Sequence, residues 1–141
     1  HVDELVDLPE LLEQADYIAN ILPSTAHTRG LLDGGILERC KRPAGRRPPS
    51  FINVGRGDIV SEASLLHALS EGWLERLVLD VFATEPLPSE SELWSHPSVL
   101  ISPHISATSY PSDIARVMVA NLEHWVKDEP LEHVVQWDNG Y

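Results

Sequence analysis

A chain of 141 residues, 43% of them apolar, is long enough to bury the core of one compact domain. Ten Lys and Arg stand against 22 Asp and Glu, a formal charge of −12, and so acidic a surface is a poor match for a phosphate backbone, which argues against nucleic acid as a partner. No apolar run approaches the roughly 20 residues that span a bilayer, no signal peptide is visible, and the single Cys40 rules out an internal disulfide and fits a reducing compartment.

The sequence opens on His1 in what reads as the middle of a domain, so an N-terminal truncation is expected, and it trails into polar residues and Tyr141. Asp7 is placed to cap a helix over Leu8–Gln14, with Pro9 tolerated in its first turn. Tyr17 to Leu22 is a short apolar run stopped by Pro23, a buried strand. The spacing of Leu31, Leu32, Ile36 and Leu37 predicts a helix over Thr28–Arg39. The following Arg/Pro stretch, Lys41 through Pro49, holds four of the ten basic residues and is a loop by composition. It reads either as a solvated turn or as a phosphate or partner patch.

Phe51 to Val54 predicts a second buried strand, ended by Gly55. Ser61 is a good N-cap for a helix carrying Ala63, Leu65, Leu66 and Leu69, which Gly72 stops. Leu77–Phe82 and Val99–Ser102 are third and fourth strands, the last closed by Pro103. Pro111 opens a long helix over residues 111–128 with an apolar stripe of Ile114, Met118, Leu122 and Trp125. Strands that alternate with helices and are continuously apolar predict an α/β fold with a parallel sheet covered on both faces.

In such sheets ligands bind beyond the carboxyl ends of the strands, and three strand ends here carry reactive or polar groups. Arg56 lies between Gly55 and Gly57, where the backbone can turn sharply; its guanidinium can grip a carboxylate with two parallel hydrogen bonds, or pair with one of the many surface carboxylates. His104 follows Ser102-Pro103 and is either a proton donor and acceptor or a structural histidine. Glu85, before Pro86, reads singly as a solvated loop residue; beside an imidazole it favours the imidazolium and fixes which ring nitrogen carries the proton. The three together favour a functional site. Asp80 sits within an apolar strand and needs partners, either loop amides or a ligand amide. Trp94 reads as packing, and no histidine spacing suggests a metal site.

These segments resemble the D-isomer-specific 2-hydroxyacid dehydrogenase family. The resemblance rests on Ile21-Leu22-Pro23 with Thr28-Arg29-Gly30, on Phe51 through Gly57, on Leu79 through Phe82 with Glu85 through Pro88, and on Pro103 through Ala107. Leu93 through Pro97 and Asn139-Gly140-Tyr141 look most like its glyoxylate/hydroxypyruvate reductase branch. The resemblance implies a partial Rossmann-like, doubly wound parallel sheet lacking its first strands, with helices on both faces. The whole chain would be the C-terminal part of a dinucleotide-binding domain, its last helix returning toward a missing substrate domain. The implied reaction moves a hydride between NAD or NADP, with NADP favoured, and a small 2-oxo acid. Arg56 would bind the substrate carboxylate, His104 would protonate the carbonyl oxygen and Glu85 would hold His104. Cofactor contacts would fall on Leu22, Pro23, Thr28, Val54, Gly55, Asp80 and Ser106. A cytoplasmic homodimer is expected.

The sequence departs from the family pattern in two ways. The Gly-x-Gly-x-x-Gly turn that seats the pyrophosphate is not among these residues, and the Arg42–Pro49 loop is longer than the usual family turn. Without the glycine-loop strand, Tyr17–Leu22 would be an exposed apolar edge, so oligomerisation, swapping or marginal stability is expected. Two other readings stay open: a non-catalytic, dinucleotide-sensing module related to transcriptional corepressors, and a truncated product with no activity of its own.

Overall fold

The computed structural model describes residues 7–137, so His1 and the Asn139-Gly140-Tyr141 motif lie outside the described residues. Helix α1 (Leu8–Gln14) starts after Asp7 with Pro9 in its first turn, and the Asp7 side chain makes no capping hydrogen bond. Strand β1 (Tyr17–Asn20) is shorter than the apolar run because the Asn20 side chain accepts the Leu22 N–H, which turns the chain away from the ladder. The expected helix over Thr28–Arg39 does not form. Turns occupy this stretch, followed by a 3-10 helix at Ile36–Cys40. Gly30, Gly34 and Gly35 all take positive φ, a conformation that breaks a right-handed helix.

Strands β2 (Ser50–Asn53), β3 (Arg76–Leu79) and β4 (Val99–Ile101) follow, with helix α2 (Glu62–Ser70) between β2 and β3. The Ser61 hydroxyl caps α2 by accepting the Ser64 N–H, and Gly72 beyond its end has φ +67°. The four strands are parallel and lie in the order β1-β2-β3-β4. Ile18, Phe51, Leu77 and Val99 stand opposite one another across the ladder, as do Asn20 and Asn53. This is the parallel α/β sheet that the apolar runs predict and the partial Rossmann-like sheet that the resemblance implies, but among the described residues the cover expected on both faces is incomplete.

Burial alternates along the strands. One face carries Ile18, Phe51, Leu77 and Leu79 into a core shared with Leu12 and Leu65. Burying a residue such as Phe51 is worth about 1.5–3 kcal/mol. On the other face Tyr17 and Leu100 remain 74% and 64% exposed. Among the described residues strand β1 is an edge, with β2 as its neighbour.

The Arg/Pro loop has a structural task. Arg42 donates to the Leu12 and Ala15 carbonyls at the end of α1 and to Cys40 O, and Arg46 donates to Gln14 O. Guanidinium groups there satisfy carbonyls that lack helical partners and complement the negative end of the helix dipole. Burial pushes the neighbouring Cys40 thiol up to about 11, with Arg42 opposing the rise, so Cys40 packs as an inert small hydrophobe.

The chain divides into two compact units after His104. The second contains helix α3 (Pro111–Val126), with Pro111 in its first turn and Asp113 near its positive end. It stops two residues short of the expected 128, and Asp128 has φ +59°. Within this unit the Asn121 amide donates to Glu132 O and accepts Glu132 N–H, tying the following segment to the helix. No residue of α3 is buried.

Candidate active site

The carboxyl ends of β2, β3 and β4 place the three predicted site residues around one cleft. At the end of β2 the chain passes through Val54-Gly55-Arg56-Gly57. A Cβ on Gly57 would lie 1.9 Å from the carbonyl carbon of Phe82, so only glycine lets this turn press against the loop after β3. Arg56 is exposed in extended backbone, and its guanidinium donates to Gly55 O at 2.8 Å.

Asp80 closes β3 and is 1% exposed. Its carboxylate accepts from the Ser102 hydroxyl, its N–H donates to Asn53 O, and its carbonyl accepts the His104 N–H at 3.0 Å. That last bond helps hold His104 at φ +54°, a left-handed conformation that costs a non-glycine residue of order 1–3 kcal/mol and that clusters at functional sites. Glu85 completes the arrangement. One carboxylate oxygen accepts the Phe82 N–H at 3.0 Å, and the other lies 2.8 Å from His104 Nδ1. The hydrogen bond from His104, then that from Phe82, hold the Glu85 carboxyl below its usual range.

Two clefts share this pair. The first, of about 340 Å³, is lined by Arg56, Glu85, His104, Ser24, Asp58 and Phe82 among others. The Ser24 hydroxyl donates to the Asp58 carboxylate, which also stands 3.2 Å from the Arg29 guanidinium. The second, of about 620 Å³, is mostly apolar and includes Asp80, Leu87, Trp94, Ile101 and Pro103 beside Glu85 and His104. Trp94, read as packing, lines this apolar cleft 55% exposed, and its indole N–H donates to Pro88 O.

The residues expected to face a dinucleotide fall into three places. Leu22, Pro23, Thr28, Val54 and Gly55 are contiguous at the ends of β1 and β2. Thr28 Oγ1 donates to Pro23 O at 2.6 Å, Val54 N–H donates to Asn20 O, and a Cβ on Gly55 would sit 2.8 Å from Leu22 O. Asp80, one strand over from Val54 with its N–H on Asn53 O, lines the apolar cleft. Ser106 is exposed in the second unit. A buried carboxylate in an apolar cleft suits a flat aromatic amide, whose N–H it would accept, and so fits the nicotinamide end of NAD(P). Nothing in the sequence matches the glycine turn for the pyrophosphate. Among the described residues no group of three or more His, Cys, Asp or Glu is arranged to hold a metal ion, and no helix is long and apolar enough to cross a membrane.

Sequence reasoning missed Asn20 and Asn53. Both are buried, and the Asn20 amide donates to Asn53 Oδ1 at 2.7 Å. The signal was present: an amide at the last position of two apolar strands must find partners when it is buried.

Residues 1–106 match the family model for the D-isomer specific 2-hydroxyacid dehydrogenase, NAD binding domain. A glyoxylate/hydroxypyruvate reductase A of Salmonella newport (strain SL254) is 38% identical over 135 residues, which cover 96% of this chain and 42% of that protein. A solved D-isomer specific 2-hydroxyacid dehydrogenase from Xanthobacter autotrophicus Py2, in complex with NADPH and MES, superposes with a TM-score of 0.85 at 37% identity, covering 95% of this chain and 53% of the other. An NADPH-dependent glyoxylate/hydroxypyruvate reductase from Sinorhizobium meliloti, in complex with NADP and sulfate, gives a TM-score of 0.85 at 35% identity over 95% of this chain and 42% of its own. The chain thus spans well under half the length of the curated relative. With the motifs, the parallel sheet and the strand-end cleft in agreement, these likenesses establish that the chain belongs to the D-isomer specific 2-hydroxyacid dehydrogenase family, its residues 1–106 matching that family's NAD-binding domain.

Proposed function

We propose that this chain supplies the proton chemistry and the substrate clamp of an NAD(P)-dependent reductase of small 2-oxo acids, with glyoxylate and hydroxypyruvate as the first substrates to test. The observation that carries the reading is the single cleft bordered by Arg56, Glu85 and His104, with His104 Nδ1 bonded to Glu85. Arg56 binds the substrate carboxylate through its paired donors and draws electron density from the adjacent carbonyl. With Nδ1 committed to Glu85, His104 offers Nε2 as the atom that gives a proton to the carbonyl oxygen, and Glu85 stabilises the charged ring before transfer. A bound dinucleotide supplies the hydride. Asp80 would hold its nicotinamide amide, while Leu22, Pro23, Thr28, Val54, Gly55 and Ser106 would line the rest of its path.

The glyoxylate/hydroxypyruvate reductase names of the relatives support the substrate class, and the NADP and NADPH of the solved neighbours favour NADP over NAD. A homodimer in the cytoplasm completes the reading. The exposed apolar stripe of α3 supports a return of that helix toward a substrate domain or a second copy. Because the relatives are more than twice as long, the activity is assigned to the full-length protein. There His104→Gln is expected to lower kcat by roughly 10²–10⁴-fold with dinucleotide binding retained, whereas Arg56→Gln should raise the KM for glyoxylate. Stopped-flow oxidation of NADPH and fluorescence titration read both, and normal turnover in His104→Gln would overturn the acid–base role.

A further inference from the structure

Two buried amides stand behind the arginine. Asn20 and Asn53 end adjacent parallel strands, lie opposite each other in the ladder, and are 5% and 1% exposed. The Asn53 side chain donates to the backbone carbonyl of Arg56 at 3.2 Å and accepts the Gly55 N–H at 3.3 Å. Asn20 donates to Asn53 Oδ1 at 2.7 Å and also reaches Arg56 O at 3.5 Å, while its own Oδ1 accepts the Leu22 N–H. A Cβ on Gly55 would stand 2.8 Å from Asn20 Nδ2, so the glycine turn is moulded onto the amide. Each polar atom of the pair thus contacts the turn that carries Arg56, the loop that follows β1, or the other amide.

Such a network costs buried polar surface, and an apolar pair would fill the same volume without that cost. The amides add direction. They fix the Arg56 carbonyl and the Gly55 N–H, and so the point from which the guanidinium extends. Both amides reach the Arg56 carbonyl from adjacent strand ends, and the Asn53 oxygen also takes the Gly55 N–H. We infer that Asn20 and Asn53 are positioning residues: an amide pair that sets the Arg56 turn for binding the substrate carboxylate and ties it to the loop at Leu22. This rests on the reading of Arg56 given above. A misplacement of about 1 Å at such a clamp can lower a rate by about 10²-fold.

The test uses Asn53→Asp in the full-length protein. The substitution keeps the acceptor oxygen and the size but replaces the amide donor facing Arg56 O with a carboxylate. At pH 8 the KM for glyoxylate should rise about tenfold or more, with the KM for NADPH within twofold of wild type. As pH falls and the new carboxyl takes up a proton, it regains an O–H donor, and the defect relative to wild type should shrink. A merely structural role would move the melting temperature and both KM values together, with a pH profile parallel to wild type, and that outcome would overturn the proposal. If Asn53→Asp does not fold, Asn20→Asp carries the same test, since it keeps the oxygen for Leu22 N–H and loses the donor to Asn53. Failure of both to fold also overturns it, because the pair would then belong to the fold and not to the clamp. Arg56→Gln, run alongside, separates the two levels. An unchanged glyoxylate KM in that variant defeats the reading of Arg56 and the pair with it; a raised KM there with none in Asn53→Asp defeats the pair alone.

Discussion

The strand-end cluster and helix α3 are two regions with opposite bookkeeping. Around the cluster, Asn20, Asn53 and Asp80 are buried and hydrogen-bonded to neighbouring backbone and side-chain groups. Along α3, Ile114, Met118, Leu122 and Trp125 form an apolar stripe, each more than half exposed. Polar groups are inside in one region and apolar groups outside in the other. The first arrangement is costly unless every group is satisfied, and so it marks a place where geometry matters. The second leaves the hydrophobic gain of a 16-residue amphipathic helix uncollected. Precision is therefore built into the cluster by its own residues, while the apolar stripe of α3 is left exposed.

The largest expected effect comes from breaking the tight side of that comparison. Gly57→Ala would place a methyl carbon 1.9 Å from the Phe82 carbonyl carbon and 2.2 Å from its oxygen. Both are backbone atoms, so no side-chain rotation relieves the clash, and the loop bearing Glu85 must move. Overpacking of this kind costs about 3 kcal/mol or more, readable as a lowered urea midpoint. A variant with wild-type stability would show that the two strand-end loops are not pressed together in solution.

A smaller effect sharpens the electrostatics of the same cluster. The Glu85 carboxyl is held below its ordinary range by His104 and by the Phe82 N–H. A depressed carboxylate stabilises the fold when ionised. Its contribution is fully present above the ordinary glutamate range and is lost as pH falls through the depressed value. Since the side chains of Glu85 and His104 are 38% and 54% exposed, solvent screening limits the pair to about 1 kcal/mol at most. The stability gap between wild type and Glu85→Gln, measured by urea unfolding, should therefore close as pH falls below the ordinary glutamate range. A gap independent of pH would mean that Glu85 contributes through packing or the Phe82 contact alone.

Much of this comparison could be read before the structure. The parallel order of the sheet follows from short apolar runs separated by helices, and Ser61, Pro9 and Pro111 marked helix starts by capping and φ preference. The meeting of Arg56, Glu85 and His104 was legible because parallel strands put their carboxyl ends on one side. The segment from Thr28 to Arg39 was misread because apolar spacing was weighed above three glycines that take positive φ. The Arg42 clamp on α1 was illegible in principle, since a loop arginine gives no sign in sequence of which carbonyls lie above it. Asn20 and Asn53 were passed over for a different reason. Each lay inside a predicted strand as a single amide among apolar residues, and only the register shows the two side by side.

The smallest expected effect tests the loose side. Met118→Ser together with Leu122→Ser removes apolar surface from the α3 stripe at positions that are 67% and 56% exposed. Exposed substitutions that break no cap or buried contact usually change stability by less than about 0.5 kcal/mol. Serine costs a few tenths in helix propensity at each site, so most of that small change would come from the helix itself. In the 141-residue chain the urea midpoint should hardly move. What should change is self-association, because an exposed apolar stripe of this size favours contact between copies, and light scattering across a concentration series would report its loss. A stability loss well above 1 kcal/mol would instead mean that the stripe is packed in solution. The contrast with the strand-end cluster would then fail, since both regions would be holding the fold together.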